Sequence, residues 1–222
     1  MTRKLNSDRR GAAKGRATSA VVFVHGYGAD GADLLGLSDP LAPHLPGTAF
    51  YAPNAPEPSA ANPMGFQWFA IPWIDGSAPE AAEAGLKQSA DDLNAFLDGV
   101  LQDEGLAPEK LVLFGFSQGT MLSLEVAPRR FEPLGAVVGF SGRLMAPERL
   151  ADEAVSHPPI LLVHGDSDDV VPPASLPAAE EALRAAGFDV ITHVSKGVGH
   201  GIAPDGLSLA LAFIRDHLGI AG

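Results

Sequence analysis

The chain has no cysteine, which rules out disulfides, thiolate metal ligands and a cysteine nucleophile, and leaves its redox compartment unread. Basic charge is scarce too. Six of the 15 lysines and arginines (Arg3, Lys4, Arg9, Arg10, Lys14, Arg16) precede residue 17, and the formal net charge is -12. Nucleic acid is excluded as a partner on that ground, because phosphate binding needs a basic surface. Long hydrophobic runs are missing as well; "AVVFV" is far too short to cross a bilayer. Arg9-Arg10 hints at a twin-arginine export signal, but the following "GAAKGRATSA" is small and polar. No HExxH or similar histidine spacing marks a metal site. These absences describe a soluble cytoplasmic protein without stable membrane insertion, and residues 1–18 read as a solvated basic arm.

What is present is enough for one substantial core. Hydrophobic residues make up 46% of the 222, which fits a single domain over residues 19–222. Short apolar runs recur at 20–26, 48–53, 110–116, 135–141, 158–165 and 188–194. Several are almost continuously hydrophobic, as in strands buried on both faces of a parallel sheet. Helical spacing appears between them at 80–104, 118–127, 175–186 and 205–218. Alternation of this kind predicts a doubly wound, mostly parallel α/β sheet with helices on both faces.

Residues 53–79 break the rhythm. Six prolines keep the segment irregular, and it holds both tryptophans of the chain, in "GFQWFAIPWID". A loop this long inside one domain is uncommon without a function. It reads either as a rigid cover on the sheet edge or as the wall of an apolar substrate pocket.

Gly115-Phe116-Ser117-Gln118-Gly119 matches G-x-S-x-G, between a buried strand and a helix-compatible segment. A nucleophile elbow needs that context: the glycines let a strained turn close, and the helix N-terminus offers free N–H groups to an oxyanion. "GFSGR" at 139–143 fails the test. It has Arg143 in place of the second glycine and Pro147 soon after, so Ser141 reads as a strand end. A serine needs a base and a group to orient that base. Downstream, "HGDSDDVVP" offers Asp166, Asp168 and Asp169, and "GVGHGI" offers His200 in a glycine-rich loop. The residues alone do not choose among the three aspartates. His25 and His164, each before a glycine at a strand end, read as bonding to nearby backbone, and His193 as part of a strand.

The ordered blocks "VVFVHGYGADG", "GFSQGTM", "HGDSDDVVP" and "GVGHGI" resemble those of the phospholipase/carboxylesterase family of α/β-hydrolases over residues 20–218. This group includes acyl-protein thioesterases and bacterial carboxylesterases; the "FQWF" and "HGIAPDG" segments bring the chain nearest to the latter. The resemblance implies an α/β-hydrolase fold with no large cap domain. It implies Ser117 as nucleophile, His200 as general base and Asp168 as the acid, with oxyanion donors at the Tyr27 and Gln118 amides. Phe66, Trp68, Trp73 and Met121 are the candidate lining of the substrate pocket. No metal or organic cofactor is required, and the expected partner is a small ester. The quaternary state is left open between monomer and homodimer. Hydrolysis of small to medium carboxylic esters is the leading expectation. Its rivals are acyl-protein thioesterase or lysophospholipase activity, and a hydrolase fold kept for binding without catalysis.

Overall fold

The computed structural model describes residues 1–220. Its strands are β1 (Ser7–Gly11), β2 (Ser19–Val24), β3 (Thr48–Pro53), β4 (Glu57–Pro58), β5 (Phe66–Gln67), β6 (Leu111–Phe116), β7 (Ala136–Phe140), β8 (Ile160–Gly165) and β9 (Val190–Ser195). The helices are α1 (Gly31–Leu35), α2 (Ser38–Leu41), α3 (Pro72–Asp75), α4 (Pro79–Glu104), α5 (Gln118–Val126), α6 (Pro147–Glu153), α7 (Ser175–Ala185) and α8 (Pro204–Leu218). Seven strands form one sheet in the order β1-β3-β2-β6-β7-β8-β9. Every neighbouring pair in it is parallel except β1 with β3.

The apolar runs become strands because both of their faces are covered. In β2, Ala20, Val22 and Val24 point into the core shared with α4, α5 and α7, while Val21 and Phe23 point into the core shared with α1, α2 and α8. β6 alternates in the same way, with Leu111 and Leu113 on one side and Val112 and Phe114 on the other. Each such buried side chain contributes about 1.5–3 kcal/mol, more than the roughly 1 kcal/mol that Gly115 costs inside β6. The doubly wound sheet anticipated from the sequence is therefore present.

The N-terminal segment departs from expectation. Residues 1–18 are not a solvated arm: β1 pairs antiparallel with β3, from Ser7 opposite Pro53 to Gly11 opposite Ala49. The reason lies in α4. Its buried face carries Asp92 and Glu104 beside Leu93, Leu97 and Val100, and carboxylates removed from water require partners. Arg3 Nε meets Asp92 Oδ2 at 2.7 Å, and Arg9 Nε meets Glu104 Oε1 at 2.8 Å. Glu104 also accepts from the Tyr51 hydroxyl and the Gly15 amide. Burial raises the Tyr51 phenol to about 12, with the adjoining Glu104 carboxylate adding to the rise.

Residues 53–79 are more ordered than their prolines suggest. β4 and β5 make a small antiparallel pair, and α3 forms one turn that Gly76 ends with φ 71°. Each of β2, β6, β7, β8 and β9 ends at the same edge of the sheet, which gathers the loops that follow them.

Candidate active site

Ser117 sits where β6 turns into α5, with φ 53° and ψ -115°, a conformation a serine adopts only under constraint. Two glycines make the turn sterically feasible. A Cβ on Gly115 would stand 2.5 Å from the Thr120 nitrogen, and one on Gly119 only 1.8 Å from the Val24 carbonyl oxygen. The Ser117 amide donates to Phe140 O at 2.8 Å, fixing the turn against β7.

His200 reaches this serine from the loop after β9. Its Nε2 lies 2.9 Å from Ser117 Oγ, and its Nδ1 lies 2.8 Å from Asp168 Oδ2. That pairing puts the proton on Nδ1 and leaves Nε2 to accept the hydroxyl proton. Gly165 lets the histidine loop lie close to the end of β8, since a Cβ there would stand 2.2 Å from Val198 O. The Phe116 ring packs against the imidazole, with centroids 5.0 Å apart.

The three aspartates separate cleanly in space. Asp168 is buried, whereas Asp166 and Asp169 are exposed. Asp168 Oδ1 accepts from the Val170 and Val171 amides, both at 2.9 Å. Its other oxygen meets His200, and His164 Nε2 stands 3.3 Å away. Burial alone would raise this carboxyl, but the hydrogen bonds from His200 and the two amides outweigh it and hold the pKa below the usual range. Asp166 serves the loop instead. Its Oδ1 accepts from the Gly197 amide at 2.7 Å, pinning the segment that carries His200.

The HGYG turn after β2 closes the site from the other side. His25 is fully buried and its ring bonds to backbone, with Nδ1 donating to Gly26 O at 2.7 Å and Nε2 accepting from the Ala55 amide at 3.0 Å. Desolvation lowers its pKa, and the amide-accepting Nε2 carries no proton. Gly26 lies against Ser117; its Cβ, if present, would be 3.3 Å from Ser117 Cβ. The Tyr27 and Gln118 amides have no acceptor among the described residues. The Tyr27 hydroxyl donates to Asp75 Oδ2, which also accepts from the Ile71 amide and so ties α3 to the turn.

Of the four expected pocket residues, two are elsewhere. Trp68 is 0% exposed and Met121 1%, both within the core on the α4 side of the sheet. Trp68 is held inside because its Nε1–H donates to His25 O at 3.0 Å and its carbonyl accepts from the Ser89 hydroxyl of α4. Met121 lies in that same core, in a helix whose every residue is buried. Phe66 is half-buried and exchanges backbone hydrogen bonds with Gly28 of the HGYG turn and with Ala29 just after it; Trp73 is 51% exposed.

One residue does more than its sequence position announced. The Gln118 side chain is buried, accepts from the Trp68 amide at 2.9 Å and donates to Phe69 O at 2.7 Å. It clasps the aromatic loop to the elbow. Nothing in the sequence marks that role, since both partners are backbone groups fifty residues away. Ser141, the runner-up serine, is buried with φ 49° and its hydroxyl has no hydrogen-bond partner among the described residues. His164 and His25 do bond to backbone, and His193 lies within β9, where it pairs with Asp205.

The sequence profile of the Phospholipase/Carboxylesterase family matches residues 11–218. The chain belongs to that family. Among solved structures similar to it is esterase PE8, at 43% identity and a TM-score of 0.91, covering 97% of this chain and all of that one. A probable carboxylesterase of Oryza sativa subsp. japonica is 31% identical, over 93% of this chain and 80% of that protein. Acyl-protein thioesterase 1 of Gibberella zeae is 29% identical, over 90% of this chain and 91% of its own. The chain thus has the α/β-hydrolase fold of a family of carboxylic ester hydrolases.

Proposed function

We propose that this ester hydrolase cleaves small to medium carboxylic esters by acyl transfer through Ser117. The observation that carries the reading is the unbroken chain Ser117 Oγ to His200 to Asp168, at 2.9 and 2.8 Å. In the first step His200 Nε2 takes the hydroxyl proton as Ser117 Oγ bonds to the ester carbonyl carbon. Asp168 keeps the tautomer and stabilises the imidazolium. The carbonyl oxygen, now negative, accepts from the Tyr27 and Gln118 amides, each worth about 3 kcal/mol in such sites. Collapse breaks the bond to the alcohol oxygen, which leaves with the proton from His200. Water then repeats the sequence on the acyl-enzyme, releasing the acid and restoring Ser117.

Phe66 and Trp73 border the substrate in this scheme. Thioester cleavage is the second reading, favoured by relatives named acyl-protein thioesterase. Cytoplasmic residence belongs to the same proposal; no helix among the described residues is long and apolar enough to cross a membrane. A panel of p-nitrophenyl esters of increasing acyl length tests the substrate range, alongside mass spectrometry of the protein treated with a fluorophosphonate. A single adduct on Ser117 and best turnover of short chains are expected. An adduct elsewhere would sink the nucleophile assignment, and a preference for long acyl chains or S-acylated peptides would move the reading to the thioesterase.

A further inference from the structure

Trp73 and Arg143 take no part in the acyl-transfer steps, yet they meet across the site. Trp73 stands on α3, in the connection that follows β3, and Arg143 stands in the connection that follows β7. Between those two strands in the sheet lie β2 and β6, which lead to Tyr27 and Ser117. The Arg143 guanidinium carbon is 5.2 Å from the centre of the Trp73 ring system. The contact therefore spans the ends of the strands that carry the nucleophile and the HGYG turn. Both feet of this arch are tied to the site. α3 is held through Asp75 by the Tyr27 hydroxyl, and a Cβ on Gly142, next to Arg143, would be 3.1 Å from Ser117 O.

Among the described residues no carboxylate forms an ion pair with Arg143. Arg3, Arg9, Arg129 and Arg149 each meet carboxylates, whereas Arg143 is exposed and its interaction is the ring contact with Trp73. A guanidinium stacked on an indole has one face covered and its plane oriented, while its N–H groups along the edge stay free. Those donors match a carboxylate bidentately. A cleft of about 290 Å³ opens beside Arg143, where α6 and α7 meet, walled by Leu144, Pro147, Pro172 and Ser175. On a chain with net charge -12, a cation with no ion pair among the described residues, just beyond the end of β7, creates a local preference opposite to the overall field.

We propose that Arg143, oriented by Trp73, selects esters that carry a carboxylate a few bonds from the scissile group, namely half-esters of short dicarboxylic acids. This rests on the ester-hydrolase reading above. The test pairs monomethyl glutarate with methyl 5-amino-5-oxopentanoate, a neutral amide of the same shape. The wild-type KM should be about tenfold lower for the half-ester, the effect of one charge-assisted bidentate contact. Arg143→Gln should bring the ratio of the two KM values to about one, and Arg143→Lys, which keeps charge but not the planar fork, should restore part of it. Salt at about 1 M should erode the wild-type ratio, since the contact is exposed. A wild-type ratio near one, or a ratio that Arg143→Gln leaves unchanged, overturns the proposal. Calorimetric binding of both compounds to Ser117→Ala reads the same selectivity without turnover. Loss of hydrolysis of every ester by the wild type would overturn the parent reading instead, and the binding ratio would still decide this one.

Discussion

Ser117 and Ser141 end neighbouring parallel strands, each preceded by Gly-Phe, and each with φ near 50°. Backbone strain is therefore not what distinguishes the two serines. The next few residues make the difference. After Ser117 the chain enters α5 at once, with Gly119 pressed against Val24 O, so the helix N-terminus faces the hydroxyl. After Ser141 the next helix waits until Pro147, and no base reaches the side chain, whose Oγ is buried and unpartnered among the described residues. The same tripeptide in the same φ region meets a histidine after one strand and is a packing detail after the next.

Substitution should widen that contrast. Ser117→Ala is expected to lower kcat by at least about 10⁴-fold, while Ser141→Ala keeps it within about threefold; steady-state kinetics on one short ester reads both. Asp168→Asn should cost about 10⁴-fold, because the amide holds His200 in the wrong tautomer, whereas Asp166→Asn should cost about tenfold at most by loosening Gly197. The Asp168 carboxyl has a depressed pKa in the fold, so its contribution to stability is present above the ordinary value of about 4 and is lost as pH falls through the lower folded value. Urea midpoints measured across that acid range should fall more steeply for wild type than for Asp168→Asn. Gln118→Met keeps the length of the side chain but releases Trp68 and Phe69. Its kcat should drop about 10- to 100-fold, with a smaller change in KM, since the clasp positions the amide proposed to hold the oxyanion rather than the substrate. The smallest effect sits with the losing serine: removing its orphan hydroxyl in Ser141→Ala should raise stability by up to about 1 kcal/mol in urea unfolding.

Strands whose two faces are both buried are legible because hydrophobicity writes them directly into the chain. The apolar run at 48–53 bounds β3 to the residue, and those of β6, β7 and β8 come within two. β1 is not legible. "SDRRG" has no apolar pattern; it is a strand because the β3 backbone and the buried acids of α4 recruit it. The short helices α1, α2 and α6 escape notice for want of length. The order serine, aspartate, histidine can be read in the chain, but the choice of Asp168 over its neighbours comes from family resemblance. In space it follows from burial and two backbone amides. Trp68 and Met121 are misplaced by sequence reasoning because an aromatic or thioether side chain near a site reads the same whether it faces a ligand or the core. His25 O and Gln118 decide the matter for Trp68, and neither contact has a local signature.

β1 also bears on how the molecule behaves in a crowd. Stripped of its first 18 residues, the sheet would end at Thr48–Pro53, six buried and uncharged residues with a row of open backbone donors and acceptors. Bare edges of that kind recruit other chains and seed fibrils. The short strand laid over it carries Asp8, Arg9 and Arg10, so the rim presented to neighbouring molecules is charged and brief. The basic arm is in this sense a selvedge, the finished border that keeps one copy of the sheet from being woven into the next.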